Sequence, residues 1–370
     1  MRTVRRLLYV DIVSSVGFVA LAFLSLFFFI DFVDELADAG KRGYTALHAA
    51  VYTLLELPGH FYELSPIAVL IGTIYALARL AQSSEFTILR TGGLGPTRAL
   101  SLLATLGLAF AAITFVVGDY IAPLAEQQAA RFQGEFKGGL KLGRSGAWLK
   151  DRQSRPDGEH SFSINVGRAS DGGVLHDIRI FEFDADGALI QRIAAKNGLV
   201  DPQSTWMLSG VTLTRWSNAT ANQLATVAEE ARAELAWPST LSASVIAAAV
   251  LPLGTMSTLE LRRYIGHLSD NEQAAQQYEI QFWKRALYPL ACLVMVALAL
   301  PFAYLHARAG GISLKVFGGI MLGISFVLLN NVAGHVGLLK NWTPWMVAST
   351  PSALYLLLSM AAFTWLVRYR

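Results

Sequence analysis

Cysteine and charge are both scarce in this sequence. Its 370 residues include one cysteine, Cys292, and only 15% are Asp, Glu, Lys or Arg. A single cysteine excludes an internal disulfide and any cysteine-based metal cluster. The composition is 54% hydrophobic and the mean hydropathy is +0.43, which is more apolar surface than a soluble domain normally hides. The sequence therefore predicts an integral membrane protein.

Catalytic motifs are also missing. No H-E-x-x-H, G-x-S-x-G or Cys/His ligand spacing occurs, and the seven histidines are scattered. The stretch "GGLKLGRS" (138–145) is the nearest approach to a phosphate-binding loop, but Arg144 replaces the lysine and no strand precedes it. A net charge of +3 is too small to indicate nucleic-acid binding. We expect no catalytic residue, no metal site and no ATP hydrolysis by the chain itself.

Six apolar runs are long enough, or nearly so, to cross a hydrocarbon layer that needs about 20 helical residues. They are residues 12–30, 64–78, 99–118, 286–305, 316–334 and 342–367. The pattern predicts domains 1–121 (three spans), 122–278 (a polar middle) and 279–370 (three spans). The basic start, "MRTVRR", could also open a signal peptide, but the apolar run is long and no small-x-small cleavage site follows. We expect an uncleaved first span.

Lysine and arginine lie mainly on one side of these spans. That side holds Arg2, Arg5, Arg6, Arg79, Arg90, Arg98, Arg308, Lys315, Arg368 and Arg370. Cytoplasmic flanks are enriched in basic residues. The sequence therefore predicts cytoplasmic termini and a middle domain on the outer side.

The middle domain shows strand patterns. Apolar and polar residues alternate in "SFSINV", "HDIRIFEFDADGALIQRIAA" and "WMLSGVTLTRW", as in strands with one buried face. The "DADG" at 184–187 predicts a hairpin turn, and the length favours a small open sheet or half a jelly roll, with edges that another chain can extend. Ser257 and Glu260 form a capping-box pattern that predicts a helix start.

A polar segment, "LARLAQSSEFTILRTGG" (77–93), separates the second and third runs. Its apolar residues are Leu80, Phe86, Ile88 and Leu89, and glycines follow, which predicts a short amphipathic helix over 80–92. The helix could rest on lipid headgroups or dock a cytoplasmic partner. Glu85 favours docking, because a carboxylate does not help binding to anionic lipid.

Two further patterns have two interpretations each. Basic residues after the third run, namely Arg131, Lys137, Lys141, Arg144 and Lys150, could be a solvated face or could bind a phosphorylated amphiphile. The small residues of "GIMLG" (319–323) could allow close packing within the chain or form a dimer face.

Several segments together carry a resemblance to a known family. They are "FFIDFVDELADAGKRGYTALHAAVYTLLELP", "LIGTIYALARLAQSSEFTILRTGG", "APLAEQQAARF" and "QFWKRALYPLACLVMVALALPF". In this order they resemble the lipopolysaccharide-export permeases LptF and LptG over the whole chain. "FVDELADAG…GY" and "LAQSSE" are more similar to the LptG branch. The resemblance implies a six-helix, 3+3 membrane protein of the bacterial inner membrane, with an inserted periplasmic domain like a β-jelly-roll.

The resemblance also implies partners and a transport role. It implies a coupling helix in a groove of a cytoplasmic LptB-type ATPase dimer, contacted by Glu85 and including Leu80, Phe86, Ile88, Leu89 and Arg90. ATP and Mg²⁺ would be bound by that ATPase, so this chain would hold no cofactor. Further implied partners are an LptF-type permease, an LptC-type single-span protein and a periplasmic LptA-type bridge, with lipopolysaccharide as the transported lipid.

The lipid-binding residues depart from the family pattern. The family resemblance implies a basic residue near the outer end of the first span, whereas this chain has Asp31 there. We predict that Lys41, Arg42, Arg131 and Lys137 bind the lipid phosphates instead, or that divalent cations bridge them; His60 and Glu63 are further candidates. A secondary transporter and a structural assembly factor are the alternatives, and the first would need charge near the midplane of the spans.

Overall fold

The computed structural model describes most of the chain. The described residues are 2–41, 43–137, 140–141, 147–155, 158–169, 174–201, 205–217, 226–239, 241, 253–270, 275–304 and 311–368. Arg42, Arg144, Arg308, Arg370 and most of the glycine-rich stretch 138–145 lie outside them. Two compact units are present: Met1–Ala39 with Thr45–Glu126 and Glu279–Arg370, and Gly40–Tyr44 with Gln127–Tyr278.

Ten α-helices occur in the described residues. They are α1 (Arg2–Leu36), α2 (Ala46–Gln82), α3 (Glu85–Thr91), α4 (Pro96–Val116), α5 (Ala122–Lys137), α6 (Thr258–Asp270), α7 (Gln276–Leu287), α8 (Ala291–Tyr304), α9 (Ile312–Leu339) and α10 (Pro344–Arg368). A π-helical segment, Val117–Ile121, joins α4 to α5, and a 3₁₀ turn, Tyr288–Leu290, joins α7 to α8.

Six continuous stretches of these helices are long and apolar enough to cross a membrane. They are Val4–Leu36, Ala46–Gln82, Thr97–Gln133, Gln276–Tyr304, Ile312–Leu339 and Pro344–Trp365. The predicted six spans are confirmed, but most of the helices are longer than the apolar runs. A helix satisfies its own backbone hydrogen bonds, so it continues into polar flanks that an apolar run does not include. The fourth span begins ten residues before the predicted start at residue 286.

Helix α2 is the central helix of the membrane unit, and it packs against α1, α8 and α9. Gly72 allows the contact with α1, because a Cβ there would lie 2.5 Å from the Val16 Cα. Gly319 and Gly323 face Ile74 and Ile67 of α2 in the same way. The small residues of 319–323 therefore serve packing within the chain.

The second unit contains one antiparallel sheet. Its strands are β1 (Leu140–Lys141), β2 (Ala147–Arg155), β3 (Gly158–Ala169), β4 (Leu175–Phe183), β5 (Leu189–Val200), β6 (Thr205–Ser217) and β7 (Thr226–Pro238). The order is β1-β3-β4-β5-β6-β7, and β2 also pairs with β3. The predicted fold class, six membrane helices with an inserted β domain, is confirmed.

The buried face of the sheet explains the alternating sequence pattern. Phe162, Ile180, Ile193 and Trp206 lie on neighbouring strands and are at most 2% exposed. The indole of Trp206 meets that of Trp237 on β7 at a centroid distance of 5.6 Å. Apart from its end near Trp237, β7 is exposed along its length, so the last strand leaves a polar surface uncovered in the described residues.

Two local predictions in this unit are confirmed. The hairpin turn at 184–187 joins β4 to β5, and the Asp184 carboxylate accepts hydrogen bonds from the backbone N–H groups of Asp186 and Ala188 at 3.1 and 2.7 Å. The capping box opens α6. The N–H of Ser257 donates to Glu260 Oε2 at 2.7 Å, and the N–H of Glu260 donates to Ser257 Oγ at 3.3 Å.

Candidate functional site

The polar segment between the second and third spans forms the short helix α3. Helix α2 ends just before it: the N–H of Ser83 donates to the Arg79 carbonyl at 3.0 Å, and Ser84 has a left-handed φ of 61°. A helix over 80–92 was therefore the wrong prediction, because this left-handed residue interrupts it. Leu80 belongs to the last turn of α2, and α3 begins at Glu85.

Helix α3 has one buried and one exposed side. Phe86 is 3% exposed, and its ring meets the Tyr304 ring at the end of α8 edge-on, at a centroid distance of 5.2 Å. Leu89 packs against the same apolar core, which also contains Leu80. Glu85 and Ile88 are exposed. Of the predicted docking residues, Phe86, Leu89 and Leu80 therefore contact the bundle, whereas Glu85 and Ile88 are accessible to a partner.

Glycine ends the helix, as predicted. The Gly92 N–H donates to the Ile88 carbonyl at 2.9 Å, and the Leu94 N–H donates to the Leu89 carbonyl at 3.0 Å. Gly93 has a φ of +99°, a conformation that favours glycine. The side chain of Arg90, the remaining predicted docking residue, lies outside the described side chains. The seven-residue helix α3 therefore has a defined start at Glu85 and a defined end at Thr91.

An ion pair lies beside this segment. Arg79 Nη2 is 2.6 Å from Asp11 Oδ1, which joins α2 to α1 near the end of α2. Sequence reasoning missed it, because Asp11 immediately precedes the apolar run that begins at residue 12. A carboxylate one residue before an apolar run and an arginine at the end of the next run were the available signal.

A buried arginine inside the fourth span was also missed. Arg285 is 6% exposed; its Nη2 donates to the Gly118 carbonyl at 2.6 Å, and its guanidinium lies over the Tyr62 ring at 5.5 Å. Gly118 belongs to the π-helical segment, and π-bulges frequently mark functional positions. The predicted apolar run begins at residue 286, one position after Arg285, and therefore does not contain it.

The predicted lipid-binding residues are placed as follows. Lys41 and Arg131 are both exposed and belong to the unit that contains the sheet. The side chain of Lys137, the last residue of α5, is not among the described side chains. Arg42 lies outside the described residues. The backbone of Glu63 accepts a hydrogen bond from the Tyr288 hydroxyl.

Near the C-terminal end of α1 the structure brings together three side chains. Asp31, Glu56 and His60 each offer one ligand atom, and these atoms lie within 4.8 Å of one another. His60 Nε2 is 2.8 Å from Asp31 Oδ2, and the Phe27 ring lies 5.0 Å from the imidazole. Sequence reasoning named Asp31 and His60 separately; Glu56 at i−4 from His60 was the signal that they share a helix face.

Comparison with known proteins identifies the family. The model for "Lipopolysaccharide export system permease LptF/LptG" matches residues 6–367. The chain belongs to the LptF/LptG family. Among its relatives in this family, the lipopolysaccharide export system permease protein LptG of Escherichia coli K12 is 29% identical over 344 residues, which cover 91% of each chain. The LptG protein of Haemophilus influenzae is 25% identical over 362 residues, 96% of each chain.

Membership of the LptF/LptG family agrees with the helices described above. The match includes the inserted sheet and all six membrane-capable helices except the first two residues of the first helix, so the chain is a multi-pass permease of the inner membrane. The relatives named here are LptG proteins, the branch that the sequence resembles more closely.

Proposed function

We propose that this chain is an LptG-type permease subunit of an ATP-driven exporter. It takes lipopolysaccharide from the outer leaflet of the inner membrane and passes it to an LptA-type periplasmic bridge. An LptB-type cytoplasmic ATPase dimer binds ATP and Mg²⁺ and drives the step, while an LptF-type permease completes the membrane cavity. An LptC-type single-span protein is a further partner. The chain's own residues bind the partners and the lipid but perform no covalent chemistry.

The observation that carries this proposal is the two-sided helix α3. A helix that only rested on lipid would direct its apolar side chains away from the protein, into the membrane. Here Phe86 and Leu89 pack into the bundle instead, and the exposed side presents Glu85 and Ile88. An exposed carboxylate beside one apolar side chain suits a protein groove that supplies a cation.

The side of the membrane on which α3 lies is inferred from charge. Arg5, Arg6, Arg79 and Arg98 flank the ends of α1, α2 and α4 nearest α3, and the positive-inside rule assigns that side to the cytoplasm. With an even number of spans, both termini are cytoplasmic and the sheet domain is periplasmic. The ATPase would therefore meet α3 from the side where ATP is available.

Movement of α3 would reach the spans through buried contacts. The Phe86 ring meets Tyr304 at the end of α8, and Leu80 of the same core belongs to α2, which is the central helix of the unit. Packed cores transmit displacement because they are dense and have low compressibility. Closure of the ATPase dimer would thus displace α2 and α8 and reshape the lipid cavity.

The test of the proposal is reconstitution. We expect the chain to co-purify with an LptF-type permease and an LptB-type ATPase, and we expect lipopolysaccharide to stimulate ATP hydrolysis by the complex in nanodiscs. The chain alone serves as the control for ATPase activity. The proposal would be contradicted if the chain associated with neither protein. It would also be contradicted if lipopolysaccharide did not change the ATPase activity of the complex.

The lipid-phosphate prediction has its own test. Charge reversal at Lys41, Arg42 and Arg131 (each →Glu) should lower lipopolysaccharide-stimulated ATPase activity severalfold, because repulsion would replace attraction to the lipid phosphates. Reversal of Arg215, Arg232 and Lys340 changes the net charge equally and should leave the stimulation near the wild-type value. If the two triple variants behave alike, these residues do not bind the lipid phosphates.

Phe86→Ala should uncouple ATP hydrolysis from the lipid without dissociating the complex. Removing a buried phenyl ring costs about 3–5 kcal/mol, so α3 would pack loosely on the bundle while Glu85 and Ile88 still face the partner. We expect the ATPase to co-purify and lipid stimulation to fall severalfold. Ile88→Ala is the matched variant, since Ile88 is 66% exposed; it should weaken association first. The same phenotype in both variants would contradict the two-sided helix.

A further inference from the structure

The cluster of Asp31, Glu56 and His60 has the composition of a metal site. It comprises one imidazole nitrogen and two carboxylate oxygens, within 4.8 Å of one another. Ligand atoms that share a zinc ion each lie about 2.0–2.2 Å from it, so roughly 3–4 Å separates them. Small rotations of the side chains would bring the three atoms to that spacing.

Two helices supply the cluster, and neighbouring aromatic residues hold it. Glu56 and His60 are one turn apart on α2, while Asp31 belongs to α1. The Tyr52 hydroxyl donates to Glu56 Oε1 at 2.6 Å, and the Phe27 ring lies 5.0 Å from the His60 ring. Such outer contacts fix the orientation of ligating side chains. The geometry thus restrains Glu56 and His60 before an ion arrives.

The charge of the cluster favours a cation. In the described part of the chain, the ion pair of Asp31 is with His60, and no lysine or arginine pairs with Asp31 or Glu56. The side chains of His60 and Asp31 are 24% and 26% exposed. An ion can therefore enter from the solvent and bind carboxylates that no lysine or arginine of the described residues neutralises.

We propose that Asp31, Glu56 and His60 bind a divalent transition-metal ion between α1 and α2. An imidazole ligand favours Zn²⁺, Cu²⁺ or Ni²⁺ over Mg²⁺ and Ca²⁺, which prefer oxygen alone. Three protein ligands leave at least one coordination position open. A phosphate oxygen of the transported lipid fills that position, a part that rests on the proposed function. This proposal departs from the expectation, drawn from the sequence, that the chain binds no metal.

Cobalt binding to the full chain tests the site directly. The protein is stripped with a chelator in nanodiscs and titrated with Co²⁺ alone, while its visible absorption is recorded. We expect one equivalent of Co²⁺ per chain with ligand-field bands. Asp31→Asn, Glu56→Gln and His60→Gln should each weaken binding at least tenfold, because each removes a ligand. Circular dichroism checks that the variants fold.

A matched control separates the cluster from general surface charge. Asp34 lies on the next turn of α1 and is exposed, so Asp34→Asn changes the charge as Asp31→Asn does. It should leave the Co²⁺ affinity unchanged. Wild-type protein that binds Co²⁺ no more tightly than the Asp31→Asn/His60→Gln double variant would overturn the site. Cobalt binding needs no ATPase partner, so this outcome is independent of the proposed function.

The open coordination position is tested with two phosphate sources. Lipopolysaccharide in the nanodisc should change the visible spectrum of the cobalt-loaded protein, and dephosphorylated lipopolysaccharide should not. Inorganic phosphate should produce the same change only at much higher concentration. An unchanged spectrum with lipopolysaccharide, or an equal response to the dephosphorylated lipid, would overturn the phosphate part while the metal site stands on its own titration.

Discussion

Replacing Glu85 with lysine should abolish lipid-stimulated ATP hydrolysis by the complex. Glu85 is exposed on α3, and under the proposed function its carboxylate contacts a cation of the ATPase. Lysine would place two positive charges together, and like charges at an interface cost several kcal/mol. A loss of only 1.4 kcal/mol already weakens association tenfold. We therefore expect at least a tenfold loss of co-purified ATPase and of stimulated activity.

The control for this variant lies two residues away. Thr87 is also exposed on α3, so Thr87→Lys adds a positive charge to the same helix without removing the carboxylate. It should retain most of the association. Pull-down and ATPase assays in nanodiscs measure both variants. Full activity of Glu85→Lys would mean that α3 rests on the membrane surface, as in the alternative interpretation of this segment.

Trp206→Ala should unfold the sheet domain at a lower temperature. The indole is 0% exposed and meets Trp237 edge-on at 5.6 Å. Trp237 in turn contacts Phe162 at 5.5 Å, so one substitution opens a cavity in a three-ring cluster that spans β3, β6 and β7. Truncation of a buried tryptophan costs about 3–5 kcal/mol. Near-ultraviolet circular dichroism during heating of the full chain measures the shift.

Trp148→Ala is the matched variant for this experiment. Trp148 lies on β2 of the same sheet but is 54% exposed, and it stacks on Phe181 at 6.1 Å. We expect a loss of only about 1 kcal/mol, the scale of an aromatic pair. Similar destabilisation by both variants would show that Trp206 does not form the core of the domain. The membrane helices should melt separately in both proteins.

Periodicity predicted much of the fold because each pattern has a local cause. Apolar runs must span the hydrocarbon layer as helices, and alternation places every second residue of a strand on one face. The turn at 184–187 and the capping box of Ser257 with Glu260 were found for the same reason, since each hydrogen bond joins residues at most four apart. Such bonds depend on sequence neighbours and need no knowledge of the tertiary structure.

The structure divides the predicted docking segment into buried and exposed residues. The composition of residues 77–93 indicated a polar, amphipathic connection, and Glu85 proved to be exposed. Phe86 and Leu80, which the sequence analysis included in the coupling helix, are buried against the spans. An apolar residue on a short helix has two apolar environments available, its own protein or a partner. Only the position of Tyr304, more than 200 residues later, decides between them.

The sequence by itself determined the membrane class, the 3+3 arrangement of spans, the inserted sheet and the family. The first three properties follow from hydrophobicity and from local hydrogen bonding, which act over a few neighbouring residues, whereas the family follows from the resemblance of whole segments. Only the tertiary structure decided which side chains meet across helices: Asp11 with Arg79, Arg285 with the Gly118 carbonyl, and Asp31 with His60. Such contacts depend on how helices distant in sequence pack against one another. A hydrophobic pattern specifies which face of a helix is buried, but it does not specify which other helix packs against that face.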